Sequence, residues 1–329
     1  MGAKTALLPS GPRSLEELFT AMYRGKRKVS EFASLNVAAS CTRKSFTHKG
    51  RTRGIVIPSD KLRGCHEFIR LFLLDFLPVE IDLVFSYRKG VGAFDAVKQH
   101  ASSRHFFVTD IADFFPSIKR DRVLSIIQTG RGISPISDLD AWMERIVELV
   151  CLDGELPVGF STSPAISNAA LRPFDQAMRK ECGALGLVYT RYSDDLVISG
   201  GDAGVVERAQ AFCECHLREA MHGEFQLRPE KSKFLHVGRK IKLLGMVLLP
   251  NGRISIDGAT KSEIEVLLHF YLRDRAKFAA MGEGDERKVE ARLAGLLNYA
   301  NTVDQSYLDK LRHKFGAAPI DLFIHRSFG

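Results

Sequence analysis

The sequence predicts an α+β fold, a mixed centre of strands and helices followed by an all-helical end. Three observations predict it. Short apolar runs with strand character, HFFVTDI at 105–111 and LVYTRYSDDLVISG at 187–200, stand between amphipathic helical stretches. From 257 onward apolar residues recur at helical spacing: Ile264, Leu267, Leu268 and Tyr271, then Val289, Leu293, Leu296 and Leu297, then Tyr307, Leu308, Leu311 and Phe315. The net charge of +8 is also uneven, at +9 over 1–63, −7 over 64–227 and +6 over 228–315. Basic flanks around an acidic middle suit a polyanion such as nucleic acid, and an unevenly charged solvated surface is the alternative.

Each element has a local reason. In SLEELFTAMYRG, Ser14 at the N-cap and Glu17 three residues on form a capping box. Residues 66–77 read as helix and 105–111 as a buried strand. Ser117 is expected to open a helix through about Ile127, with Val123, Leu124 and Ile127 on one face. SPAISNAALRPFDQAMRKECG reads as one long helix kinked at Pro173. Residues 187–200 read as a β-hairpin with a short polar tip, and 203–221 as an amphipathic helix. KIKLLGMVLLPNGRISI reads as two strands around the turn PNG.

Composition narrows the function classes. With 329 residues, 45% hydrophobic and 26% charged, the chain can build two or three subdomains. The greasiest stretch, 71–85, is interrupted by Asp75, Pro78, Glu80 and Asp82, so no membrane span is expected. The N-terminal MGAKTALLPSG lacks the pattern of a secretory leader, and Ala6 stands where myristoylation wants Ser or Thr. A cytoplasmic protein with reduced thiols is therefore expected. Six cysteines are scattered, and CECH at 213–216 has no second half-site to complete a tetrahedral zinc centre.

The chemistry lies in the acids. Asp194 and Asp195 sit side by side at the expected hairpin tip, flanked by strand. Two such carboxylates ionise together cheaply only beside a cation. Mg²⁺ is the expected one, a hard ion that takes one or two carboxylates and fills its shell with water and phosphate oxygens. Asp110 ends a buried strand, and Asp113 follows where the chain turns away. Three acids at neighbouring strand ends fit a two-metal site. A turn or capping role is the bland alternative for each Asp.

In this order DIADFFPSI, LPVGFSTSPAISN, RYSDDLVIS, RPEKSKF and KLLGMVL resemble the palm motifs of reverse transcriptases, RNA-directed DNA polymerases. SYRKGVGAFDAVKQH ahead of them resembles the fingers-to-palm approach of the bacterial retron-type enzymes. The resemblance spans roughly 50–250. It implies a right-hand polymerase fold: fingers and a basic N-terminal region over 1–104, a palm with antiparallel sheet over 105–250, and a helical thumb over 251–329. It implies Asp110, Asp194 and Asp195 as ligands of two Mg²⁺ ions, with Mn²⁺ as substitute and the Ile111 carbonyl assisting. Phe115 would be the gate against a ribose 2′-OH. Gly159, Ser163 and Pro164 would shape the nucleotide loop, and Arg51 and Arg53 would clasp the triphosphate. Lys231 would protonate pyrophosphate. Leu243, Leu244, Gly245 and Met246 would grip the primer, and Arg273, Arg275 and Lys277 would touch nucleic-acid backbone. A buried strand, a core aromatic, an ordinary loop or a solvated helix face are the respective alternatives.

Two departures accompany the resemblance. Ala96 stands in place of Asn in an NAxxH element that keeps His100, and LLG at 243–245 stands in place of a VTG triplet. Both elements are linked in the family to recognition of the cognate RNA. The resemblance implies copying of a structured non-coding RNA, from an RNA 2′-OH and with dNTPs, into RNA-linked single-stranded DNA. A separately encoded effector in anti-phage defence is a further implied partner. A related defence or group II intron-like reverse transcriptase, a metal-dependent nuclease and an RNA-binding module remain open at this point.

Overall fold

Three antiparallel sheets set the framework of the computed structural model, which describes residues 11–48, 51–238 and 240–325. The N-terminal stretch read for a leader lies outside the described residues. Strands β1 (Cys41–His48) and β2 (Arg51–Pro58) form a hairpin paired from Cys41↔Pro58 to His48↔Arg51. Strands β3 (His105–Asp110), β4 (Val188–Tyr192), β5 (Asp195–Gly200) and β6 (Lys233–His236) form the central sheet in the order β4-β5-β3-β6. Strands β7 (Ile241–Leu243), β8 (Met246–Leu248) and β9 (Ile254–Ile256) form a small meander.

The central strands read as unbroken apolar runs because both faces of the sheet are covered. Successive strand residues point to opposite faces. Phe107, Leu196 and Ile198 enter a core shared with helices Leu15–Tyr23, Asp60–Phe72, Leu139–Val150 and Arg172–Ala184. Phe106 and Val197 enter a second core. That core contains β7–β9 and helices Gly258–Arg273, Glu286–Val303 and Gln305–Phe315. The first core thus runs across residue 104, and the segment 241–250 packs with the helical end. Within it, edge-on and tilted contacts among Phe19, Phe32, Phe68 and Phe72 bind the N-terminal helices to the centre, each buried ring worth about 1.5–3 kcal/mol.

The Ser14–Glu17 capping box, the hairpin at 188–200 and the helices after 257 form as expected. Other elements differ. The 66–77 helix starts at Asp60, capped by Ser59, and ends at Phe72. No helix opens at Ser117: Phe114–Ser117 is a single turn, and the helix proper is Arg120–Gln128. Between them Ile118 is extended and fully buried, and its carbonyl accepts from Leu156 N–H. Instead of one kinked helix there are two, Ser163–Ala170 and Arg172–Ala184. Pro173 sits in the first turn of the second, where a missing N–H costs nothing. The 203–221 helix likewise divides at Arg208. Residues 240–256 hold three strands, because Leu244 (φ +48°) and Gly245 (φ +86°) make a two-residue turn. Leu is not a turn signal, and a single glycine inside an apolar run reads equally as a bulge, so pattern reading does not separate the two strands here. The β1–β2 hairpin, exposed along most of its described side chains and built on strand pairing, is a further element beyond the expected set. Among the described residues no helix is long and apolar enough to cross a membrane.

Candidate active site

The β4–β5 hairpin closes at Tyr192↔Asp195, which leaves Ser193 and Asp194 as a two-residue loop. Such loops need positive φ, and Ser193 adopts +60°. A non-glycine residue there carries strain of about 1 kcal/mol, so the surroundings must hold it. Ser193 N–H donates to Ser86 Oγ at 2.8 Å, and its carbonyl accepts from Arg191 Nη1 at 3.2 Å. The Asp194 carbonyl accepts from Ile111 N–H at 3.0 Å. Arg191 is fully buried and paired to Asp175 through two hydrogen bonds of 2.9 and 2.7 Å. Its Nη1 also reaches Asn168 Oδ1 at 3.2 Å. Tyr189 donates to Asp175 at 2.9 Å. Burial, then the Asp175 charge, holds its phenol well above the usual range, so it stays a donor. Adjacent acids can therefore sit at this tip because buried partners fasten its backbone.

Asp110 and Asp195 are the last facing pair of β3 and β5, and directly opposed residues project to one face. Asp110 is 2% exposed. One of its oxygens pairs with Lys231, while Oδ1 is buried without a hydrogen bond and lies 3.6 Å from Arg228 Nε. Burial, then the charges of Asp194 and Asp110, pushes the Asp195 carboxyl up to about 6, against the pull of Lys231. Asp194 lines a cleft of about 1190 Å³, whereas Asp110 and Asp195 line an adjoining recess of about 130 Å³. Lys231 borders both. Among the described residues no three acidic, His or Cys side chains already stand as a metal cage. The acids gather at one sheet end without converging on a single point. Their hard oxygen donors, the orphaned Asp110 Oδ1 and the mutual repulsion felt by Asp195 nonetheless fit divalent cations.

The other expected site residues divide. Phe115 lines the large cleft beside Asp113 and Phe114. Leu243 and Leu244 line the recess with Asp110 and Asp195, and Gly245 completes their turn. Ile111 is buried beside the acid turn. Gly159 (φ +115°) packs on β2, where an added Cβ would meet Val56 O at 2.3 Å, so close backbone approach requires it. Ser163 is 1% exposed and donates to Pro157 O at 2.7 Å, facing inward rather than toward a nucleotide. Pro164 sits in the first turn of its helix. Arg51 and Arg53 belong to β2, and their side chains lie outside the described residues. Arg273 is exposed. Arg275 lies 4.2 Å over the Tyr271 ring and pairs with Glu286 and Glu290, and Lys277 pairs with Asp274 at 3.6 Å. His100 is fully buried between Ser199 and Thr190, at 2.6 and 2.8 Å, and burial pushes its pKa down to about 3. It fastens β4 to β5 and cannot touch RNA directly.

Sequence reasoning missed Tyr87, Arg228, Arg43 and Lys44, all of which line the cleft. A basic residue just ahead of Pro229 was a visible signal for Arg228. Nothing local marked the rest.

Residues 42–248 match the reverse transcriptase (RNA-dependent DNA polymerase) family. The retron Ec73 reverse transcriptase of Escherichia coli is 26% identical over 278 residues, covering 81% of this chain and 84% of that protein. The retron Mx65 reverse transcriptase of Myxococcus xanthus is 25% identical, covering 80% of this chain and 61% of that protein. The retron Ec86 reverse transcriptase of E. coli is 24% identical, covering 82% and 80%.

Proposed function

The chain belongs to the reverse transcriptase family, as an RNA-directed DNA polymerase of retron type, and on that footing we propose that it copies a cognate structured non-coding RNA into RNA-linked single-stranded DNA. The observation that carries the site assignment is the facing of Asp110 and Asp195 across β3 and β5, with Asp194 on the adjoining turn. Asp110, Asp194 and Asp195, with the Ile111 carbonyl, would hold two Mg²⁺ ions, Mn²⁺ substituting. Bound there, such ions would lower the pKa of the attacking hydroxyl and offset charge on the departing pyrophosphate. The chain's own residues do the rest. Phe115 stands in the cleft where it would abut the sugar of a bound deoxynucleoside triphosphate. Arg43, Lys44 and Arg228 supply positive charge around the same space, with Arg51 and Arg53 on the neighbouring strand. Lys231, which pairs with Asp110 and borders the cleft, would hand a proton to pyrophosphate. Leu243, Leu244 and Gly245 would steady the primer end beside Asp195.

The basic helical end would lie along RNA, read by shape, 2′-OH groups and unpaired bases. A cytoplasmic location and action with a separately encoded effector against phage complete the proposal. Primer extension on an RNA template tests the chemistry. Wild-type protein should extend with dNTPs and Mg²⁺, while Asp194→Asn should lose about a thousandfold, the several kcal/mol a metal ion supplies. Cleavage without extension would point to a nuclease. Protein purified from its host should carry one discrete RNA joined to DNA that RNase releases; heterogeneous RNA without DNA would refute the retron product.

A further inference from the structure

Tyr87 stands in the cleft wall in a backbone conformation rare for a bulky side chain, φ +59°. The residue is 49% exposed and lines the same cleft as Phe115 and Asp194. Its hydroxyl shares a 2.7 Å hydrogen bond with Ser193 Oγ. The preceding residue, Ser86, is buried and accepts the Ser193 N–H through Oγ at 2.8 Å. Ser86 is itself held, because Asn168 Nδ2 donates to its carbonyl at 3.0 Å. On the far side Arg88 donates to the carbonyls of Ile81 and Val84, at 2.6 and 2.5 Å. Two consecutive residues thus grip the backbone N–H and the hydroxyl of one turn residue, and that residue directly precedes Asp194. Left-handed backbone at Tyr87 and Ser193 is strain, which persists where surroundings over-determine it and concentrates at functional sites.

We propose that Tyr87 is a positioning residue for nucleotidyl transfer: through Ser193 it sets Asp194, and its exposed ring stacks on a nucleobase in the cleft. Filling the cleft and ordering the acid turn are then mechanically linked. The inference deepens the polymerase reading and rests on it. Aromatic faces suit any base, so the ring contributes affinity without sequence preference.

The test uses the full chain with an RNA template and DNA primer. Tyr87→Phe keeps the ring and removes the hydroxyl, Ser193→Ala removes the partner, and Tyr87→Leu removes the ring. Single-turnover rate, KM for dNTP, melting temperature and Mn²⁺ affinity by electron paramagnetic resonance are measured for each. Tyr87→Phe should slow the chemical step roughly three- to tenfold, the worth of one hydrogen bond, with KM and melting temperature unchanged. It should also weaken Mn²⁺ binding several-fold. The Tyr87→Phe/Ser193→Ala double variant should be no slower than the slower single one, since both delete the same contact. Tyr87→Leu should raise KM as well. A wild-type rate and Mn²⁺ affinity in Tyr87→Phe, or additive losses in the double variant, would overturn the clamp. An unchanged KM in Tyr87→Leu would overturn the stacking. Absence of extension by the wild type would count against the polymerase reading itself, and the Mn²⁺ titration would still decide the clamp.

Discussion

Replacing Asp175 by Asn should destabilise the protein by about 3–5 kcal/mol, the cost of breaking a buried ion pair from one side. Neither Asp175 nor Arg191 exposes any side-chain surface, and their two hydrogen bonds measure 2.9 and 2.7 Å. Asn keeps the shape and one acceptor but leaves the guanidinium charge without a counter-ion where water does not reach. An exposed pair of the same geometry would be worth at most about 1 kcal/mol. Against a total stability of roughly 5–15 kcal/mol the loss is large. Urea unfolding can follow it through Trp142, the only tryptophan, which packs on the core that also contains Phe174 and Met178. The double variant Asp175→Leu/Arg191→Met should regain most of the stability, since an apolar replacement of a buried pair is often near neutral. It should still extend primers poorly, because the Ser193 carbonyl has lost Arg191. An Asp175→Asn cost below about 1 kcal/mol would mean that water reaches the pair. Wild-type extension by the double variant would mean that Arg191 does not hold the turn.

Three further outcomes are expected. Phe115→Val should raise incorporation of ribonucleotides relative to deoxyribonucleotides by roughly ten- to a hundredfold, a gain of one to three kcal/mol in a pocket, read by single-nucleotide extension. His100→Ala should lower stability by about 1–3 kcal/mol, because the buried Thr190 hydroxyl loses its partner while Ser199 keeps Ser103, and RNA affinity below the melting temperature should not change. Asp304 links β9 to the helical end: burial alone would raise its carboxyl, but hydrogen bonds from Ser255, Ser306 and Lys261 bring it down to about 2. Its folded pKa lies below the unfolded value near 3.9, so its contribution is present above about pH 4 and lost as pH falls through 2. In acid titrations followed by circular dichroism, Asp304→Asn should flatten that limb and leave a less stable protein at pH 7.

The sequence by itself determined what is local or periodic. The acid pair at 194–195, the acid ending β3, the capping box at Ser14 and the helical spacing after 257 are all set by neighbours within a few residues. Strands covered on both faces showed as apolar runs for the same reason. Tertiary structure alone decided which way side chains point and whom they meet. Ser163 turns inward to Pro157, His100 is sealed between two strands, and Leu244 is forced left-handed by the pairing of β7 with β8. The decisive contacts span the chain: Tyr87 meets Ser193 across 106 residues, and Lys231 meets Asp110 across 121. Short-range preference carries no information about such pairs. They exist because two cores, one on each face of the central sheet, bring distant backbone to one edge and leave a buried charge no partner but the one the fold supplies.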